Sequence, residues 1–159
     1  TIGERITDRR IYPWNGHGVR NSDEKYIGQI AANFVRGNGD MMGTAGFLND
    51  NADVTAPVYS YWPNDYGLYN MAGNVAEWTS SLYYEGGYSF QHDMNPDIRW
   101  NAKDSDPPRM KRKVTRGGSW KDVGYYLQTG TRSYEYQDTA KSYIGFRCVI
   151  DLAPRTSKK

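Results

Sequence analysis

The 159-residue sequence holds one cysteine, Cys148, and two histidines, His17 and His92. A single thiol cannot close an internal disulfide, so cysteine usage points to no redox compartment. The two histidines lie far apart with no Cys, His or Glu at ligand spacing, which argues against a zinc site and leaves them as surface or hydrogen-bonding groups. Neither stands beside the cysteine or a motif serine, so a Ser/His/Asp or Cys/His nucleophile system has no support. Long apolar runs are missing too. The longest are a few residues, far short of the ~20 that a spanning helix needs, and no basic-then-apolar leader opens the chain. Charge of one sign is scarce: 20 Lys and Arg face 18 Asp and Glu, a net +2. That balance gives no general attraction to nucleic acid or to an anionic membrane.

Large amphipathic rings are plentiful, with 14 Tyr and 5 Trp. A core built from them needs partners for its polar ring tips. Seventeen Gly and seven Pro break up any long helix and favour turns and short strands. The expectation is one loop-rich domain, α+β or mostly β, of a size that buries a real core. The chain opens on Thr1 rather than Met and reaches structured-looking sequence within a dozen residues, which reads as a piece of something longer.

Residues 1–10 read as a flexible start, 11–151 as the domain and 152–159 as a disordered tail. Residues 11–16 are extended and run into an Asn15-Gly16 turn. Residues 21–24 suit a helix cap, and Tyr26, Ile27, Ile30, Ala31 and Phe34 give a partial i, i+3, i+4 pattern. A helix is favoured there over a strand, although Gly28 interrupts it. Residues 37–53 read as a long surface loop. Strands are expected at 58–62, 75–82, 113–116 and 144–150, with a turn at 63–67, at most a helical turn at 68–71, and an irregular excursion at 85–108.

The run Arg109-Met110-Lys111-Arg112-Lys113 resembles a phosphate-binding patch, but Asp104 and Asp106 lie close by, and a solvated strand edge is the better reading. Residues 36–40 lack the Lys-Ser/Thr of a phosphate loop, and Arg116-Gly117-Gly118-Ser119 precedes no helical pattern. The carboxylates form no pair that points to glycoside hydrolysis. One cluster stands out, Gly73-Asn74-Val75-Ala76-Glu77-Trp78. An amide oxygen and a carboxylate three residues apart, on a Gly turn that lets carbonyls converge, supply the oxygen ligands that calcium prefers. The alternative is a plain turn feeding a strand, with Glu77 facing solvent and Trp78 in the core.

Three ordered strings carry a family resemblance: Pro63-Asn64-Asp65-Tyr66-Gly67-Leu68-Tyr69-Asn70-Met71-Ala72-Gly73-Asn74-Val75-Ala76-Glu77-Trp78-Thr79-Ser80, then Arg116-Gly117-Gly118-Ser119-Trp120, then Gly145-Phe146-Arg147-Cys148. Together they resemble the formylglycine-generating-enzyme, or sulfatase-modifying-factor, family. The resemblance implies an α+β fold, poor in regular secondary structure and related to C-type-lectin-like folds. Active members use oxygen and a copper ion held by two cysteine thiolates between the second and third strings. A thiolate is both the soft Cu(I) ligand and the redox-active group, and here residues 119–144 contain none. The resemblance thus implies a pseudoenzyme without copper. Cys148, between Phe146 and Val149, is expected to pack as a small apolar residue. Sulfoxide synthases with a similar domain need a histidine triad, which two histidines cannot build.

By the same resemblance the family often holds calcium at this turn. The implied ligands are the side chains of Asn74 and Glu77 and the carbonyls of Gly73 and Val75. A second site implicates Asn33 and the carbonyl of Phe34. Ala76 stands where many relatives carry Trp, which removes a ring from this region.

Residues 110–114 running into 116–122, and 131–147, resemble the GldK/PorK-type lipoproteins of gliding motility and type IX secretion, while 36–50 are similar to GldJ. The implied role is a non-catalytic structural component at the periplasmic face of the outer membrane. It would contact a protein partner of the secretion machinery, with a ring-like oligomer as one form, and meet the membrane only through a lipid anchor outside this chain. A calcium-dependent, lectin-like ligand-binding module is the alternative, and a formylglycine-generating oxidase comes third. Tyr83, Tyr84, Tyr88, Phe90, Trp100 and residues 125–128 are the expected contact surface.

Overall fold

The computed structural model of the chain describes residues 10–14, 16–21, 24–35, 54–88 and 98–150. The expected flexible start over 1–9, the 37–53 loop, His92, Phe90 and the 152–159 tail lie outside these residues. Four strands form one mixed sheet: β1 (Ala76–Leu82), β2 (Arg112–Arg116), β3 (Ser133–Tyr136) and β4 (Ile144–Gly145). The order is β3-β2-β1-β4, with β2 antiparallel to both β1 and β3 and β4 parallel to β1. Around the sheet run 3-10 turns at Glu24–Tyr26, Glu85–Tyr88, Pro108–Lys111 and Gly124–Leu127. The fold is α+β and poor in regular secondary structure. Among the described residues no helix is long and apolar enough to cross a membrane.

Tyr12, Ile30, Ala32, Phe34, Ala72 and Leu127 form the core cluster, with Trp14 and Val19 packed against it. Residues 26–34 supply part of this core as extended chain, not as the expected helix. Gly28 takes a left-handed φ of 84°, and the backbone folds back into a hairpin through Gly28 N–H to Asn21 O at 3.0 Å, Asn21 N–H to Gln29 O at 2.8 Å and Ala31 N–H to Val19 O at 2.9 Å. The apolar side chains Ile30, Ala32 and Phe34 enter the core from this non-helical segment, and Asn33 between them is buried as well. Ile27, counted in the helical pattern, is 73 % exposed.

Residues 58–62 form no strand either. Ser60 N–H closes a turn on Pro57 O at 3.1 Å, and Val58 and Tyr59 lie exposed. The 63–67 turn forms as expected: Asn64 Oδ1 accepts the Tyr66 and Leu68 N–H groups, both at 3.0 Å. β2 is an interior strand, so Arg112 and Lys113 are not on a sheet edge, while Arg109 of the same basic run stays exposed in the preceding turn. Arg112, 7 % exposed, lies over the Tyr83 and Tyr134 rings at 5.3 and 4.8 Å and reaches Glu85 at 3.1 Å. Cation–π stacking and one carboxylate together offset the loss of hydration.

Gly73 and Asn74, at the entry to β1, are consecutive left-handed residues with φ of 76° and 68°. Gly73 N–H donates to Gly117 O at 2.8 Å, Asn74 N–H to Asn33 O at 2.8 Å, and Trp120 N–H to Asn74 O at 2.9 Å. A Cβ on Gly73 would stand 2.5 Å from Asn33 O and 3.0 Å from Ala32 Cβ. Gly67 has a similar φ of 75° with nothing within 4 Å of its position. Gly67→Ala is therefore expected to cost only the left-handed penalty of ~1–2 kcal/mol. Gly73→Ala adds a backbone clash and should cost at least ~3 kcal/mol in total. Urea denaturation of the two variants checks this; equal costs would show that the close approach at Gly73 is unimportant.

Candidate functional site

The Asn74 side chain joins the backbone at Ala56 to the side chain of Asn33. Its Oδ1 accepts the Ala56 N–H at 2.7 Å and the Asn33 Nδ2 at 3.3 Å, while its Nδ2 donates to Ala56 O at 3.1 Å. Asn33 Nδ2 also donates to Val54 O at 2.7 Å. Both Asn residues are buried, and this reciprocal pattern satisfies polar groups that would otherwise be stranded. Glu77, the second residue of β1, goes elsewhere. Its Oε1 accepts Arg147 Nε at 2.9 Å and Nη2 at 2.8 Å, and Arg147 Nη2 also reaches Tyr69 O at 3.0 Å.

The structure thus brings Asn33, Gly73 and Asn74 into one node. It sends Phe34 to the core and turns Glu77 toward Arg147. Calcium asks for six to eight oxygens at about 2.3–2.6 Å. Asn74 Oδ1 already has a donor for each of its two lone pairs, and Glu77 is neutralised by a guanidinium. These side chains do not fit the ion as arranged, because binding it would require both to exchange partners. Among the described residues no three His, Cys, Asp or Glu side chains gather to hold a metal.

The stretch after Gly118 is built from caps and packing. Ser119 is fully buried, and Asp122 Oδ2 accepts both its N–H at 2.9 Å and its Oγ–H at 2.6 Å. Leu127 is 1 % exposed and belongs to the core, so the expected contact surface at 125–128 is reduced to its rings. Tyr125 and Tyr126 stay exposed and meet edge to face at 5.4 Å. Gly118, at φ 67°, lies so close to Tyr126 that a Cβ would come within 3.0 Å of that residue's backbone.

Above one face of the sheet is a cavity of about 240 Å³. Thr115 and Ser133 are directly paired across β2 and β3, and alternation puts both on its floor with Glu135. Ala76 and Ile144 continue the floor, and Lys121, Tyr126 and Tyr143 form the walls. Lys121 Nζ sits 3.6 Å above the centre of the Tyr143 ring. Neither residue stood out in the sequence, since the pairing joins positions 22 apart with no local pattern.

Cys148 is exposed, contrary to the expectation that it packs. β4 ends at Gly145, and among the described residues beyond it Arg147 alone is anchored to the sheet. Phe146, Val149 and Ile150 are 79 %, 86 % and 93 % exposed. Tyr83 is held against Tyr134 at 4.6 Å, so it is part of the sheet packing, while Trp100 is exposed. The side chain of Tyr88 lies outside the described residues.

Residues 3–152 match the model of the sulfatase-modifying factor enzyme 1-like domain. The formylglycine-generating enzyme of Bos taurus is 33 % identical over 150 residues, which is 92 % of this chain and 35 % of that protein. The Bos taurus protein named inactive C-alpha-formylglycine-generating enzyme 2 is 30 % identical over 145 residues, 87 % of this chain and 37 % of its own length. The chain therefore spans about a third of the length of these relatives. Among solved structures, PvdO from Pseudomonas aeruginosa shares the fold with a TM-score of 0.54 and 22 % identity, over 86 % of this chain and 43 % of that one.

The contacts of Asn74 and Glu77 set an expectation for metal removal. Chelator should leave the melting temperature unchanged, and Arg147→Ala should cost about 1–2 kcal/mol by stranding a half-buried carboxylate. A melting temperature that falls in chelator, and no longer does so in Glu77→Ala, would instead place calcium on the turn.

Proposed function

The chain belongs to the sulfatase-modifying factor enzyme 1-like family, and we propose that it is a non-catalytic structural module of that family. In this reading it serves a bacterial type IX secretion and gliding-motility assembly at the periplasmic face of the outer membrane, through contact with a protein partner. The observation that carries the reading is the make-up of residues 119–144. Where copper chemistry requires two thiolates, this stretch has the Ser119–Asp122 cap and the buried Leu127. The one thiol of the chain lies outside it, exposed at Cys148. The relatives named formylglycine-generating enzyme and inactive C-alpha-formylglycine-generating enzyme 2 are about equally similar, so the reading rests on the thiol count.

Contact with a partner is supported by the exposed run Phe146, Val149 and Ile150 beside the short edge strand β4. Contiguous bare apolar side chains on a soluble domain mark interaction surfaces. The lectin-like alternative through calcium draws no support from the contacts of Asn74 and Glu77.

Two measurements test the proposal. Incubation with copper and a peptide carrying a sulfatase cysteine motif should leave the peptide mass unchanged, and conversion to the aldehyde would overturn the non-catalytic reading. Val149→Ser with Ile150→Ser should keep the thermal midpoint yet lower recovery of the secretion-machinery partner from solubilised outer membrane by about fivefold or more. Full recovery with the double variant would remove this run from the interface.

A further inference from the structure

We propose that the cavity over the sheet binds one neutral, hydroxyl-rich ring, the pyranose of a glycan, without calcium. This goes beyond the assembly role and does not depend on it.

Each charged group around the cavity is already engaged. Lys121 lies on the Tyr143 ring, Asp122 caps Ser119, and Glu135 accepts the Tyr136 N–H at 3.0 Å and faces Lys141 at 3.9 Å. A phosphate or sulfate would find no pair of converging cations. An ammonium group would meet Lys121 in the wall, and a purely apolar ligand would cover polar groups without replacing their hydrogen bonds. What the cavity offers freely is hydroxyl. Thr115 and Ser133 contribute one each from facing positions on β2 and β3, and Tyr126 and Tyr143 add two phenols. None of the four is used in a side-chain hydrogen bond among the described residues. Each hydroxyl both donates and accepts, which matches the hydroxyls around a sugar ring, and the tyrosine rings offer apolar faces to its C–H groups.

Size narrows the class further. At about 240 Å³ the cavity falls below the ~300–1,000 Å³ of pockets that enclose drug-sized ligands, which suits a single ring and not an oligosaccharide. Ala76 on the floor leaves that space open.

The test is amide chemical-shift mapping of the whole labelled chain. The probes are the methyl glycosides of glucose, galactose, mannose and N-acetylglucosamine, titrated to about 20 mM because single-ring affinities near ~1 mM are expected. At least one neutral glycoside should shift the amides of residues 117–121 and 131–135 saturably, equally with and without chelator. N-acetylneuraminic acid and glucosamine should not. Tyr126→Ala, at an exposed position, should weaken the dissociation constant about fivefold, a loss of ~1 kcal/mol. Ser133→Ala should weaken it as well, as a second variant with a smaller change in shape. The proposal is overturned if no neutral glycoside moves these amides, if binding maps elsewhere or requires calcium, or if neither variant affects it. It is equally overturned if these amides respond only to a serine-rich peptide, which would mark a socket for a partner's side chain.

Discussion

Two left-handed residues in succession, Gly73 and Asn74, hold this domain together. Their backbone groups bond to Asn33, Gly117 and Trp120, and the Asn74 amide adds Ala56 and Asn33. Four segments distant in sequence are thereby fixed at the entry to β1. In a domain with no long helix among its described residues and only four short strands, such a junction does what a packed helix does elsewhere. It sets the register of the chain before the sheet begins. Only glycine fits at the first position, because the carbonyl of Asn33 occupies the space of a Cβ.

The cavity and the edge follow from that junction. Trp120 N–H bonds to Asn74 O, which places residues 117–122 over the start of β1 and makes the cavity wall. Glu77, two residues into the strand direction set by the turn, meets Arg147 and so anchors the chain just after β4. Past that anchor nothing described holds residues 148–150 to the sheet, and their apolar side chains stay bare. The stretch 119–144 thus acts as a structural strap of caps, a buried leucine and one strand.

The sheet was legible in part. The strands expected at 75–82 and 113–116 lie within a residue of the bounds of β1 and β2. β3 was missed because Ser-Tyr-Glu-Tyr carries no apolar face; Tyr134 packs on Arg112 and Tyr83 instead, and Tyr136 meets Tyr134 edge to face. β4 proved two residues long where 144–150 reads as a continuous apolar strand, since a strand needs a neighbour and only β1's first two residues provide one. The apparent helix at 26–34 failed at Gly28, whose left-handed φ folds the chain back on residues 19–21. At the site, Asn74 and Glu77 stand out in the sequence as candidate ligands of one ion. In the structure they bond to Ala56 and Arg147, 18 and 70 positions away, beyond any local pattern. The three motif strings survived because they encode this junction: the turn, the Gly117–Gly118 approach and the arginine.

If residues 119–144 serve only as structure, as proposed, they hold no copper. Competition for Cu(I) against a chromogenic chelator, under reducing conditions, checks this. No binding is expected beyond the weak contribution of one exposed thiol, abolished by Cys148→Ser with the fold intact. Tight one-to-one Cu(I) binding that survives Cys148→Ser would contradict it.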